Sequence, residues 1–293
     1  MRIAISTGGG DAPGLNAVIR AAVLSAITRG WDVLGICRGY YGLLGEDDII
    51  PLTRDSVRGI AHLGGTILRT TNRGNPFEFP VRQADGSFIE VDRSKEIFEN
   101  ADRLGIDAIV TIGGDGSLAI GQRLFERGMK IVGVPKTIDN DVSHTITTFG
   151  FDTAVNTAIE AIDKLHTTAE SHDRVIVMEV MGRHAGFIAL HSGVAGTADV
   201  ILIPEIPFDI EKVCAKVRAR DRAGRQFSIV VVAEGAYPVG GQESILGESL
   251  PGQAKRVGGI AGRLAWEIQN RTGKEARSLV LGQIGRASCR ERV

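Results

Sequence analysis

The chain has little of several things, and each shortage excludes something. Its 293 residues hold three cysteines, Cys37, Cys214 and Cys289, with no CxxC spacing. An odd, sparse set fits a reducing compartment and offers no disulfide framework. These thiols are expected to be buried small hydrophobes. Only 9 prolines occur, which argues against a disordered chain. The six histidines, His62, His144, His166, His172, His184 and His191, form no HxxxH pair. They read as structural or solvated groups, not metal ligands. No apolar run is long enough to span a membrane, and the opening MRIAIS enters a strand pattern where a signal peptide would show a long apolar stretch. Cytoplasm is the expected address. A net charge of −1 carries no basic surplus for nucleic acid or anionic lipid. Short tandem repeats and low-complexity stretches are also missing.

What is present is apolar material for a sizeable core, 43% of residues, and an excess of glycine, 38 residues. Short β-branched runs alternate with helical patterns. Strands are expected at Arg2–Ser6, Trp31–Cys37, Ala108–Ile112, Lys130–Val134, Val175–Val180, Ala198–Ile203, Ser228–Ala233 and Arg277–Leu281. Helical spacing marks Leu15 to Ile27, Lys95–Leu104, Leu118–Arg127, Val155 to Leu165 (capped by Asp152 or Thr153), Ala185–Ala195, Ile210–Asp221 and Gly259–Asn270. The basic cluster from Arg218 to Arg225 reads as a solvated helix end, and Gly240–Gly259 as a surface loop. This alternation predicts an α/β fold of two three-layer, Rossmann-like domains with mostly parallel sheets. A break near Gly150 separates residues 1–150 from 151–284.

In such sheets ligands bind beyond the carboxyl ends of the strands. Three loops at such ends stand out. Gly8-Gly9-Gly10-Asp11-Ala12-Pro13-Gly14 follows the first strand and enters a helix. Glycines let backbone approach an anion, and the helix start adds free N–H groups. Pro13 breaks the dinucleotide fingerprint, and no Gly-Lys-Ser/Thr follows for a Walker loop. The second loop is Gly113-Gly114-Asp115-Gly116-Ser117. A carboxylate beside a phosphate cradle needs a cation between them, a role suited to Mg²⁺. The third, Pro135-Lys136-Thr137-Ile138-Asp139-Asn140-Asp141, places two carboxylates two residues apart. In extended chain both face the same way, one to accept a hydroxyl proton and one to orient a partner.

Together GGGDAPGLN, IGGDGS, PKTIDND, SHDRVIVMEVMGRHAG and the AEG at Ala233–Gly235 resemble the phosphofructokinase family in order and spacing, from Met1 to about Ile284. The resemblance implies phosphoryl transfer from ATP, with Mg²⁺, to the 1-hydroxyl of fructose 6-phosphate. It implies Asp139 as general base, with Thr137 and Asp141 beside the transferred group and Arg183 near it. It implies Asp115 as the Mg²⁺-associated carboxylate. Gly9, Gly10, Tyr40, Gly114, Gly116, Ser117 and Lys136 fall at the nucleotide and phosphates. An arginine of Gly65–Gly74 reaches the phosphates, with Arg69 and Arg73 both open and Arg73 favoured. Met181, Gly182 and Glu234 match sugar contacts. Arg174 and Arg277 match arginines that grip the 6-phosphate from a neighbouring subunit, which implies a homodimer or homotetramer with shared active sites.

Two markers bear on the donor. Gly116 leaves room for ATP where pyrophosphate users commonly carry Asp; Lys136 is usual in pyrophosphate users. Exclusion constrains more than an added attraction, so ATP is expected and pyrophosphate is the alternative. Another Gly-Gly-Asp-Gly kinase, acting on NAD or lipid, leaves Asp139, Asp141 and the Met181–Arg183 motif unexplained. From Gly285 to Val293 the sequence departs from the family pattern and reads as an aberrant tail on a truncated chain. That keeps a non-catalytic sugar-phosphate-binding fragment as a further alternative.

Overall fold

A computed structural model describes residues 1–45, 47–71, 74–245 and 257–282. Arg73 and the tail 285–293 therefore lie outside the described residues, as does most of the glycine-rich loop. The chain divides into two compact units, Met1–Gly150 and, among the described residues, 151–245 with 257–282.

The first unit runs β1 (Arg2–Thr7), α1 (Leu15–Thr28), β2 (Asp32–Ile36), a 3₁₀ turn at Tyr41–Leu44, β3 (Ile49–Pro51), β4 (Phe79–Arg82), β5 (Phe88–Val91), α2 (Ser94–Leu104), β6 (Ala108–Gly113), α3 (Asp115–Glu126), β7 (Ile131–Thr137) and β8 (Phe149–Gly150). Its six-stranded sheet has the order β3-β2-β1-β6-β7-β8, parallel except for β3 against β2. Side chains alternate across the pleat, so β1 feeds two cores. Ala4 joins Ile36, Leu43, Ile97 and Leu124 on one face; Ile3 and Ile5 join Leu15, Ile19, Leu68 and Ile112 on the other. Burial on both faces is why the strand reads as a continuous apolar run.

The second unit runs α4 (Phe151–Ser171), β9 (Val175–Val180), α5 (Phe187–Ala195), β10 (Val200–Leu202), α6 (Ile210–Arg222), β11 (Ser228–Ala233), α7 (Ile260–Thr272) and β12 (Ala276–Leu281). The sheet order is β10-β11-β9-β12, all parallel. Val175, Val177, Val230 and Val232 pack under α6 and α7. Helices α4 and α5 pack against β9, β10 and β11. Every residue of β9 and β11 is buried.

Four local expectations are corrected. Helix α3 begins at Asp115, not Leu118, so the second glycine loop ends in a helical turn. Strand β7 runs on to Thr137, because Lys136 and Thr137 pair with Phe149 and Gly150 of β8. Asp152 and Thr153 lie inside the first turn of α4 and are not its cap. Arg220 is no solvated end: it pairs with Asp199 at 2.7 Å, and both side chains are largely buried. The hairpin β4–β5 was not foreseen, although its Asp85-Gly86 turn, with Gly86 at φ 87°, is a standard hairpin signal. Cys37 and Cys214 are buried as expected, and burial pushes both thiols up; Cys289 lies outside the described residues. Among the described residues no helix is long and apolar enough to cross a membrane.

Candidate functional site

Strands β1, β6 and β7 are neighbours in the first sheet, so their carboxyl-end loops lie side by side. The contacts are close. Gly8 N–H donates to Ile112 O at 3.0 Å, and a Cβ on Gly8 would sit 2.5 Å from Ser117 Oγ. A Cβ on Gly113 would collide with Ser117 Cβ, and one on Gly114 would lie 3.5 Å from Lys136 O. Glycine is required at Gly8 and Gly113 by this approach of loop to helix. A fourth segment braces the set. Asn16 Oδ1 accepts from Ile67 N–H at 2.9 Å, Thr7 Oγ1 donates to Arg69 O at 2.8 Å, and Thr70 Oγ1 donates to Gly9 O at 2.6 Å. Asn16 and Thr70 were not singled out from sequence. Their signal was weak: small polar residues next to glycine runs.

Helices α1 and α3 both start from glycine, Gly14 and Gly114, and neither N-cap residue supplies a side-chain oxygen. Their first N–H groups and positive dipole ends remain for an anion. Asp115 is exposed in the first turn of α3, and nothing lies within 4 Å of where a Cβ on Gly116 would stand. Among the described residues no group of three or more His, Cys, Asp or Glu side chains is arranged to hold a metal. A lone Asp115 fits Mg²⁺, which binds through one or two carboxylates and completes its shell with phosphate oxygens and water.

Lys136 is buried, and its ammonium donates to Gly10 O, tying the third loop to the first. Thr137 Oγ1 accepts from Asp139 N–H at 3.2 Å. Asp139 is half-buried with Oδ1 shielded from solvent, whereas Asp141 is exposed. The extended-chain expectation for these carboxylates is corrected, because Asn140 between them has φ 54°. Asn tolerates this left-handed region, and its side chain holds the turn. Asn140 Oδ1 accepts from Thr148 N–H at 2.9 Å, and Nδ2 donates to Ile146 O at 3.2 Å. Asp139 and Asp141 thus leave the turn in different environments, one shielded and one open.

In the second unit the loops after β9 and β11 meet. Glu234 N–H donates to Val180 O at 2.9 Å and Gly235 N–H to Gly182 O at 3.1 Å. A Cβ on Gly235 would collide with the Arg183 carbonyl, and Gly182 has φ 138°. Met181, Gly182, Arg183 and Glu234 are therefore gathered at the carboxyl end of the sheet. Arg183 Nε is buried and has no hydrogen-bond partner among the described residues. Arg174 and Arg277 are together but elsewhere. Arg174 precedes β9 and Arg277 is the second residue of β12, so both stand at the amino end of the same sheet.

Tyr40 lies largely within the first unit's core, 5% exposed, and its hydroxyl meets Thr111 Oγ1 at 2.8 Å. Arg69 is exposed with φ 58° and contributes its carbonyl to the brace. Glu179 stands in the motif that carries the resemblance, but no role was assigned to it from sequence. It is 3% exposed, and its two carboxylate oxygens accept from Gly259 and Ala261 N–H, each at 2.9 Å, at the start of α7.

Comparison with known proteins agrees with this geometry. A family model described as Phosphofructokinase matches residues 2–291. The chain is 52% identical over 285 residues to the ATP-dependent 6-phosphofructokinase of Chloroflexus aggregans, covering 97% of this chain and 77% of that one. It is 51% identical over 289 residues to the pyrophosphate–fructose 6-phosphate 1-phosphotransferase of Streptomyces coelicolor, covering 98% and 80%. The crystal structure of Pichia pastoris phosphofructokinase in the T-state superposes with a TM-score of 0.81 at 31% identity. That match covers 98% of this chain and 30% of the Pichia chain.

Proposed function

The chain belongs to the phosphofructokinase family, and on that premise we propose that it transfers the γ-phosphoryl group of ATP to the 1-hydroxyl of fructose 6-phosphate in the cytoplasm. One observation carries the reading: two glycine-bearing loops, the Lys136–Asp141 loop and two uncapped helix starts converge within the first unit. Backbone N–H groups of Gly10 and Gly114 hold the donor phosphates; Gly9, whose own N–H donates to Thr71 O at 3.1 Å, abuts them, with Ser117 packed behind. Asp115 holds Mg²⁺, which supplies charge neutralisation on the donor phosphates when bound.

Asp139 takes the proton from the sugar 1-hydroxyl as the oxygen attacks the terminal phosphorus, whose bond to the β–γ bridging oxygen breaks to release ADP. Thr137 fixes the Asp139 backbone, and Asp141, open to solvent, leaves the shielded carboxylate as the base. Such a base contributes about 10²–10⁴-fold. Met181, Gly182 and Glu234 bind the sugar, and Arg183 meets the charge that builds on the transferring group. Arg174 and Arg277 take the 6-phosphate. They stand at the far end of the sheet from Met181, and a six-residue strand spans about 20 Å. That distance supports their serving the sugar bound by a neighbouring copy, in a homodimer or homotetramer.

Two features favour ATP as donor. The space beside Gly116 is open, and the Lys136 ammonium is engaged by the Gly10 carbonyl, which gives Lys136 a structural task independent of pyrophosphate. The 51% identity to a pyrophosphate-using relative keeps the second donor in the test. Fructose 1,6-bisphosphate formation is measured with ATP and with pyrophosphate, each with Mg²⁺, for the wild type and Asp139→Ala. ATP-driven turnover that Asp139→Ala lowers by roughly 10²-fold or more is expected. Turnover with pyrophosphate alone reverses the donor assignment. Sugar-phosphate binding with no turnover on either donor favours the non-catalytic fragment.

A further inference from the structure

Between Arg174 and Arg277 stands an acidic residue that the reading above leaves without a role. The backbone puts it there. Val175 N–H donates to Glu275 O at 3.0 Å, and β12 then pairs with β9 from Ala276 opposite Val175. Extending that register sets Glu275 beside Arg174, and Glu275 and Arg277, two apart, share one face of the sheet. The side chains close the arrangement. Arg174 Nε donates to Glu275 Oε2 at 2.8 Å, and Arg277 donates a terminal N–H to Oε1 at 2.6 Å. Each oxygen thus holds one guanidinium. The two forks, with five donors each, spend one apiece here.

We infer that Glu275 is a positioning residue, the carboxylate that holds Arg174 and Arg277 as a paired fork for the sugar 6-phosphate. The inference rests on the reading that these arginines bind that phosphate. Two opposing effects follow from a carboxylate at this place. Its charge repels the incoming phosphate, and its two hydrogen bonds remove side-chain freedom that binding would otherwise have to remove. Arg277 and Glu275 side chains are 66% and 41% exposed, so charge repulsion is screened by water. Ordering a long side chain on binding costs affinity, and two are ordered here in advance. Preorganisation therefore outweighs repulsion. The guanidiniums, Arg174's hydrogen bond first, hold the Glu275 carboxyl below its ordinary range, so the tether is ionised at neutral pH.

The test compares wild type, Glu275→Gln, Glu275→Asp and Arg277→Ala by kcat and KM for fructose 6-phosphate at saturating donor and Mg²⁺, with melting temperatures. Glu275→Gln should raise KM about tenfold with kcat and melting temperature little changed, a split that a purely structural residue would not give. Glu275→Asp, which keeps the charge on a shorter arm, should recover part of the loss. An unchanged or lower KM in Glu275→Gln, with KM raised in Arg277→Ala, overturns the inference while leaving the arginine assignment intact. An unchanged KM in Arg277→Ala instead removes the reading beneath it, and the inference falls with it.

Discussion

The two units treat the starts of their helices in opposite ways. In the first unit, α1 and α3 begin at Gly14 and Gly114 with no side-chain oxygen from the cap residue. In the second, carboxylates fill the equivalent places at α5, α6 and α7. Glu205 Oε1 accepts from Gly186 N–H at 2.8 Å before α5, Asp209 Oδ1 accepts from Glu211 N–H at 2.9 Å in α6, and Glu179 accepts from Gly259 and Ala261 before α7. Both units face the same electrostatic problem, a positive dipole end with orphan donors. The second solves it internally. The first leaves it for a ligand, and only α2, away from the glycine loops, receives a carboxylate, with Ser94 N–H on Asp92 Oδ1 at 2.8 Å. A bare helix start beside others that carry carboxylate caps is a better phosphate signal than glycine alone.

Supplying the missing cap is the sharpest way to break the contrast. Gly114 has φ −82° and ψ −170°, which suits Asp at an N-cap, and a Cβ there meets only ordinary contacts at 3.5 and 3.6 Å. Gly114→Asp should stabilise the fold by roughly a few tenths of a kcal/mol while placing a carboxylate where donor phosphate must sit. Turnover should fall by roughly 10²–10³-fold, with the melting temperature raised or unchanged. A variant that melts higher and keeps its turnover would show that this helix start holds no anion. The mirror experiment strips a cap from the second unit. Glu179→Ala strands two buried N–H groups and opens a void, so a loss of about 3–5 kcal/mol is expected in denaturant unfolding. Glu205 is exposed, so Glu205→Ala should cost only about 0.5–1 kcal/mol by the same measurement.

The alternation of strands and helices was legible because the central strands of both sheets are buried on two faces, which leaves unmistakable apolar runs such as Val175–Val180. Two of the three loops were legible because close backbone approach at Gly8 and Gly113 admits no other residue, and the third because it sets two carboxylates beside a lysine and a threonine. What stayed hidden depends on partners distant in sequence or on a single backbone angle. Glu179 reads as a blemish in an apolar strand until Gly259, 80 residues later, is folded onto it. Asn140 at φ 54° turns an apparently extended pair of carboxylates into a turn, and no spacing rule announces that. Tyr40 was assigned by motif, whereas its burial follows from its place in the loop after β2, where its hydroxyl reaches Thr111 of β6.

That buried tyrosine also separates the two units by pH. Desolvation pushes the Tyr40 phenol from its ordinary 10.0 up to about 12, against the smaller opposing effect of its hydrogen bond with Thr111. In the unfolded chain the phenol ionises near pH 10, so above that pH the unfolded state has lost a proton that the folded state keeps. The contribution is fully present below pH 10 and disappears as pH rises towards about 12, on the order of 3 kcal/mol in all. The first unit should therefore soften in that window. Tyr40→Phe gives up one hydrogen bond, about 1 kcal/mol at neutral pH, but its unfolding should then be flatter between pH 10 and about 12 than the wild type's. Denaturant midpoints of both proteins across that range measure the difference. Parallel curves would mean that the phenol ionises in the folded state as readily as in the unfolded one, and that Tyr40 is open to solvent after all.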